Sequence, residues 1–114
     1  MGRRRIFQVA YDETLMRERS ALLWREGYAV ASAFGNEASQ AILMTRPRFD
    51  LFIIGHNAPE QTRLQMVAWL HEHYPHTKIL ALNPVGYDRL DNLRFNATYD
   101  PPEAWLPTLD SMAT

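Results

Sequence analysis

The chain has 114 residues, 46% of them apolar and 22% charged, which suits one compact domain with a real core, spanning 1–114, and leaves little room for a second. Its formal net charge of −1 speaks against a general polyanion binder, and the absence of cysteine excludes disulfides, thiolate metal sites and cysteine nucleophiles. No apolar run nears the roughly 20 residues that cross a bilayer, and no apolar segment follows the basic start as in a secretory signal, so a cytoplasmic protein is expected.

In chain order, the basic cluster Arg3-Arg4-Arg5 comes first and reads as a solvated strand entrance. Three short apolar runs then mark buried strands: Ile6 to Tyr11, Leu51 to Ile54 and Ile79 to Leu82. Continuous runs of this length suit strands covered on both faces of a parallel sheet. Tyr28 to Phe34 alternates less cleanly as a further strand, and Ala97-Thr98-Tyr99 is the weakest. Helical patterns lie between them. Thr14 to Arg25 is followed by Gly27 as a stop. Asn36 can cap a helix through Ile42. Pro59 opens the strongest helix, with Leu64, Val67, Leu70 and Tyr74 at helical spacing, and Pro75 ends it. A last helix starts near Pro101-Pro102-Glu103 and buries Trp105, Leu106 and Leu109. Strands alternating with helices on short connections predict an α/β, doubly wound parallel sheet with helices on both faces.

The order of these signals resembles the response-regulator receiver domains, the CheY-like family, across essentially the whole chain. Leu15 to Tyr28 is similar to that family's first helix and the entry to its second strand; Phe49 to Ile54 to its third strand; Ala58-Pro59 to the proline beyond it; Lys78 to Leu82 to its fourth; and Tyr99-Asp100-Pro101 to the end of its fifth. The resemblance implies a flavodoxin-like five-stranded sheet in the order 2-1-3-4-5. Between Asn83 and Ala97 the chain is shorter than the family pattern by about one helical turn, so the fourth helix is expected to be short or distorted.

The working residues of that family are missing. The resemblance puts its acidic pair on Ala10 and Tyr11, its phosphoacceptor aspartate on Gly55, its hydroxyl residue on Asn83 and its lysine on Asp100. Arg63 stands where a glycine opens the third helix, and the switch aromatic falls near Ala97. A glycine has no side chain to be phosphorylated, and Ala10 and Tyr11 offer Mg²⁺ no carboxylate. Asp100 would repel a phosphoryl group that lysine neutralises. Shifting the alignment to use Asp12-Glu13 would break the match of Leu15, Arg17, Leu22 and Leu23; both acids instead suit the start of the first helix.

Other side chains carry plainer readings. His56 and Asn57 follow the third strand, at the mouth where doubly wound folds hold ligands, and His56 reads as a solvent-facing loop residue. His71 and His73 face different sides of a helix, and Pro75 interrupts the helix between His73 and His76, so none reads as a metal ligand. Trp24, Trp69 and Trp105 fall on three helices, where an exposed one would suggest a contact surface. The sequence therefore predicts an atypical receiver domain of two-component or phosphorelay-type signalling, working through a protein partner without phosphorylation. It would need no cofactor or metal, touch neither nucleic acid nor membrane, catalyse nothing, and be able to form a homodimer. The alternative is a small-molecule-binding flavodoxin-like domain that uses the vacated acidic pocket with His56 and Asn57. A working phosphoacceptor on Asp12, Glu13 or His56 ranks last.

Overall fold

The computed structural model describes residues 3–83, 96–99 and 101–113. The elements are β1 (Arg5–Ala10), α1 (Glu13–Arg25), β2 (Ala29–Phe34), α2 (Asn36–Leu43), β3 (Leu51–Ile54), α3 (Glu60–His73), β4 (Lys78–Asn83), β5 (Asn96–Tyr99) and α4 (Pro102–Ala113). All strand pairs are parallel and the sheet order is β2-β1-β3-β4-β5. Parallel strands need a crossover, and each crossover here is a helix or a connection long enough to hold one. The expected short fourth helix falls on residues 84–95, outside the described residues.

Local chemistry sets the boundaries. Asp12 is extended and its Oδ1 accepts from Leu15 N at 3.0 Å, capping α1, while Glu13 sits in the first turn. Gly27 reverses the chain after α1 at φ 96°, a conformation closed to most side chains. At α2 the expected cap differs: Gly35, at φ 85°, precedes the helix and Asn36 is its first residue. The Asn36 amide is committed elsewhere, to Tyr11 and α3.

Alternating side chains along the strands feed two cores. One face buries Phe7, Val9, Phe52, Ile54 and Ala81 under Leu43 of α2 and Met66 and Leu70 of α3. The other buries Ile6, Leu51, Ile53, Leu80 and Leu82 under Leu23 of α1 and Trp105 and Leu109 of α4. Burial on both faces is why the strands read as unbroken apolar runs. Gln8 breaks the run yet is fully buried. Its Nε2 donates to Met16 O (3.2 Å), Ser20 Oγ (3.2 Å) and Ser32 Oγ (3.0 Å), tying α1 to β1 and β2. On the other face, Tyr74 packs edge-on to Phe52 and donates to Leu43 O (2.9 Å) and Pro47 O (3.1 Å), fixing the end of α3 to the connection before β3.

Trp105, with 0% exposure, is the largest side chain of the α1–α4 core. Trp105→Ala is therefore expected to lower unfolding stability by about 3–5 kcal/mol, read from the urea midpoint. A loss under about 1 kcal/mol, within the range of surface substitutions, would contradict this packing.

Candidate functional site

Because the strands are parallel, the C-terminal ends of β1, β3 and β4 share one edge with the N-termini of α1, α2 and α3. That edge is where doubly wound sheets hold ligands. Ala10, Tyr11, Gly55, His56, Asn57 and Asn83 all lie there. Asp100 lies outside the described residues.

The edge is filled and cross-linked. Ala10 is fully buried, and its carbonyl accepts from Gly35 N at 2.7 Å. Tyr11 Oη donates to Asn36 Oδ1 at 2.6 Å, and Asn36 Nδ2 donates to Thr62 O at 2.9 Å, so one chain of bonds runs from β1 through α2 to α3. Asn57 holds a left-handed φ of 72°, which asparagine tolerates better than most residues. Its Nδ2 donates to Asp12 Oδ2 at 3.0 Å. Both Asp12 oxygens are thus engaged, one by the helix cap and one by Asn57, and these bonds hold its pKa below the ordinary carboxylate value, the cap contributing most. His56 departs from expectation: it is buried, at 8% exposure, with Nδ1 2.9 Å from Asn57 Oδ1. The backbone after β3 turns the imidazole inward instead of out to solvent.

Two arginines occupy this edge from below, and neither was singled out for burial by the sequence reading. Arg19 of α1 is 4% exposed, and a Cβ built on Gly55 would stand 2.9 Å from its Nη1. The guanidinium therefore reaches the place where residue 55 would project a side chain. Arg63, in the first turns of α3, is 5% exposed. Its Nη2 donates to Leu82 O at 2.6 Å and its Nη1 to Asn83 Oδ1 at 3.1 Å, while Asn83 Nδ2 donates to Thr98 O at 3.2 Å. Arg63 so clamps α3 onto the end of β4, and Asn83 passes the link to β5. Burial lowers the Arg63 pKa, opposed by Tyr11 and Glu60. Burial also pushes the Tyr11 phenol up to about 12, opposed by the Arg63 charge.

The signal for both arginines was present in the helical period. Arg19 stands four residues after Leu15 and four before Leu23, on the apolar stripe of α1. Arg63 stands three and four before Met66 and Val67 and seven before Leu70, all buried. An arginine on such a stripe buries its stem and carries its charge to the end of the layer.

Among the described residues no group of three or more histidines and carboxylates could hold a metal ion, and no helix is long and apolar enough to cross a membrane. A cavity of about 450 Å³ opens along the outer face of α3, and one of about 70 Å³ lies between α1 and α4. Neither is lined by Gly55, His56 or Asn57.

No family model matches the chain, and no curated protein matches it. Solved structures do. The chemotaxis response regulator CheY4 of Vibrio cholerae superposes with a TM-score of 0.74 at 24% identity, over 96% of this chain and 98% of that one. A CheY-like receiver domain from Methanospirillum hungatei JF-1 gives 0.79 at 17% identity, over 98% and 94%. The response regulator TrrA of Thermotoga maritima, solved in complex with Mg²⁺ and beryllofluoride, gives 0.76 at 17%, over 97% and 99%. The chain has the α/β fold of the CheY-like receiver domains.

Tyr11 supplies a direct check on the edge. Its raised pKa means that the folded protein holds the phenolic proton where the unfolded chain, near 10, releases it. The folded state then binds more protons, so this contribution is present below pH 10 and is lost as pH rises from about 10 toward about 12. In an absorbance titration, Tyr11→Phe is expected to remove one phenol that ionises near pH 12. Loss of a phenol ionising near 10 would contradict its burial.

Proposed function

We propose that the chain is an atypical receiver-type domain, acting in two-component or phosphorelay-type signalling through protein–protein contact without aspartyl phosphorylation. The observation that carries this reading is the Arg19 guanidinium at Gly55, where receivers carry the acceptor carboxylate. Accepting a phosphoryl group takes an oxyanion nucleophile, and residue 55 has no side chain. It also takes a divalent cation held by hard oxygens. The candidate oxygens are absent at Ala10, and the Tyr11 hydroxyl is committed to Asn36.

Charge supports the same reading. A dication brought beside a guanidinium is repelled by several kcal/mol at an effective dielectric of about 20. The edge holds two buried guanidiniums, and both oxygens of Asp12 are engaged. The Asn83 amide, in the position of the family's hydroxyl residue, bonds Arg63 and the backbone of Thr98. These bonds knit β1, β4 and β5 to the neighbouring helices, so the reading is of a domain held in one state, whose surface is recognised as it stands. The solved complex of histidine kinase ThkA with response regulator TrrA superposes with a TM-score of 0.77 at 15% identity. It supports a protein partner as the class of ligand, and the reading assigns the chain no catalysis.

Incubation with acetyl phosphate and Mg²⁺, followed by intact mass spectrometry, tests the proposal. The wild-type protein and Gly55→Asp are both expected to keep their mass, because an aspartate at 55 meets the Arg19 guanidinium with no metal site beside it. A phosphoryl adduct on the wild type that hydroxylamine removes would contradict the reading, since it would place an acyl phosphate on some carboxylate of this chain.

A further inference from the structure

The opposite edge of the sheet, where the strands begin, gathers most of the cations among the described residues. Arg3, Arg4 and Arg5 at the start of β1, Arg25 at the end of α1, and Arg46 and Arg48 before β3 come to this edge, and all are exposed. Lys78 opens β4 beside them. The carboxylates sharing the edge are fewer: Glu26, Asp50, Glu72 and Asp110. Asp50 accepts from Arg5 N at 2.7 Å and lies 3.9 Å from Arg4 Nη1, and Asp110 accepts from Tyr28 Oη. Elsewhere Glu13, Glu37, Glu60 and Glu103 stand in the first turns of the helices, at the other edge, where the helix dipole favours them. The net charge of −1 conceals this segregation.

Geometry takes this edge beyond a solvated strand entrance. The Arg3 guanidinium lies 5.5 Å from the ring centre of Trp24, which is 47% exposed, and Arg5 lies 4.9 Å from that of Phe49. Stacking holds planar guanidiniums in place, so less freedom is lost when they bind a carboxylate with both nitrogens. Arg46 adopts a left-handed φ of 64°, where a helix exit ordinarily has glycine or asparagine. The strained position carries another exposed cation.

We propose that this basic edge is a docking surface for an acidic segment of a partner protein, centred on Arg3 and Trp24. The interspersed carboxylates decide the class of partner. Glu26 and Asp50 would repel the uniform charge of a phosphate backbone or an anionic bilayer, whereas a protein segment places its acids and its neutral groups unevenly. An exposed tryptophan with an arginine over its ring also has the composition of an interface hot spot. The surface is separate from the cross-linked edge, so it stands whether or not that edge accepts phosphate.

The test is a titration of the isotope-labelled full chain, followed by backbone amide NMR, with a short synthetic peptide of alternating glutamate and leucine. Saturable shifts are expected around Arg3 to Arg5, Trp24 to Gly27 and Arg46 to Asp50, and affinity falls as salt rises. Trp24→Ala and Arg48→Glu, both exposed and outside the core, are each expected to weaken binding about tenfold. The absence of saturable shifts would overturn the proposal. So would equal or tighter binding of a thymidine oligonucleotide or of anionic phospholipid vesicles at the same residues. Salt-sensitive self-association that shifts these residues without peptide would also overturn it, by making the edge an interface between copies.

Discussion

Arg63 carries its guanidinium under the C-terminal edge of the sheet, donates to Leu82 O and Asn83 Oδ1, and is 95% removed from solvent by the elements around it. Its Nη1 and Nη2 are hydrogen-bonded while its buried Nε has no partner, and the bonds that are made link α3 to the end of β4 and, through Asn83, to the backbone of β5. Removing the arginine would release Leu82 O and Asn83 Oδ1 together. Arg19 works in the same place from the opposite face, its guanidinium beside Gly55. Two of the helices that flank the sheet, α1 and α3, thus each send a cation to the strand ends, and the polar chain Tyr11–Asn36–Thr62 closes the same edge from the side of α2.

This arrangement puts buried positive charge under the strand ends. A site that binds a divalent cation gathers carboxylates in a shallow cleft. Here a small residue at 55 admits a guanidinium, and Asp12, which stands at the mouth, caps α1 and accepts from Asn57. A fold does not fix the chemistry it carries, and here two buried guanidiniums stand at the strand ends. The proposed contact function follows from what remains. A domain whose C-terminal edge is locked by internal bonds is recognised through its surface, and charge has been sorted toward the opposite edge.

Much of the architecture was legible in the sequence because its causes are local. Short branched runs mark strands covered on both faces, Asp12 and Glu13 mark the start of α1, Gly27 its end, and Pro59 and Pro75 bracket α3. The sequence singled out Ala10, Tyr11 and Gly55 at this edge but not the buried arginines beside them. Which side chain fills a vacated place depends on tertiary reach, and a long arginine on an apolar helical stripe reads as a solvated charge until the opposite strand end is placed above it. The same holds for His56, expected in solvent and found buried, for Asn36, whose amide serves Tyr11 and α3 instead of its own helix, and for Gln8, whose partners Ser20 and Ser32 are remote in sequence. Asp100 and the connection between β4 and β5 fall outside the described residues.

The most direct measurement of the central claim is a backbone amide NMR titration with Mg²⁺ and then beryllofluoride, which mimics a phosphorylated aspartate. With cationic side chains filling the acceptor edge, the signals of Ala10, Gly55, Arg63 and Asn83 should stay in place at Mg²⁺ concentrations that saturate an acidic receiver site. Saturable shifts of those signals would mean that the edge holds a metal and the phosphoryl mimic despite Arg19 and Arg63, and would contradict the account.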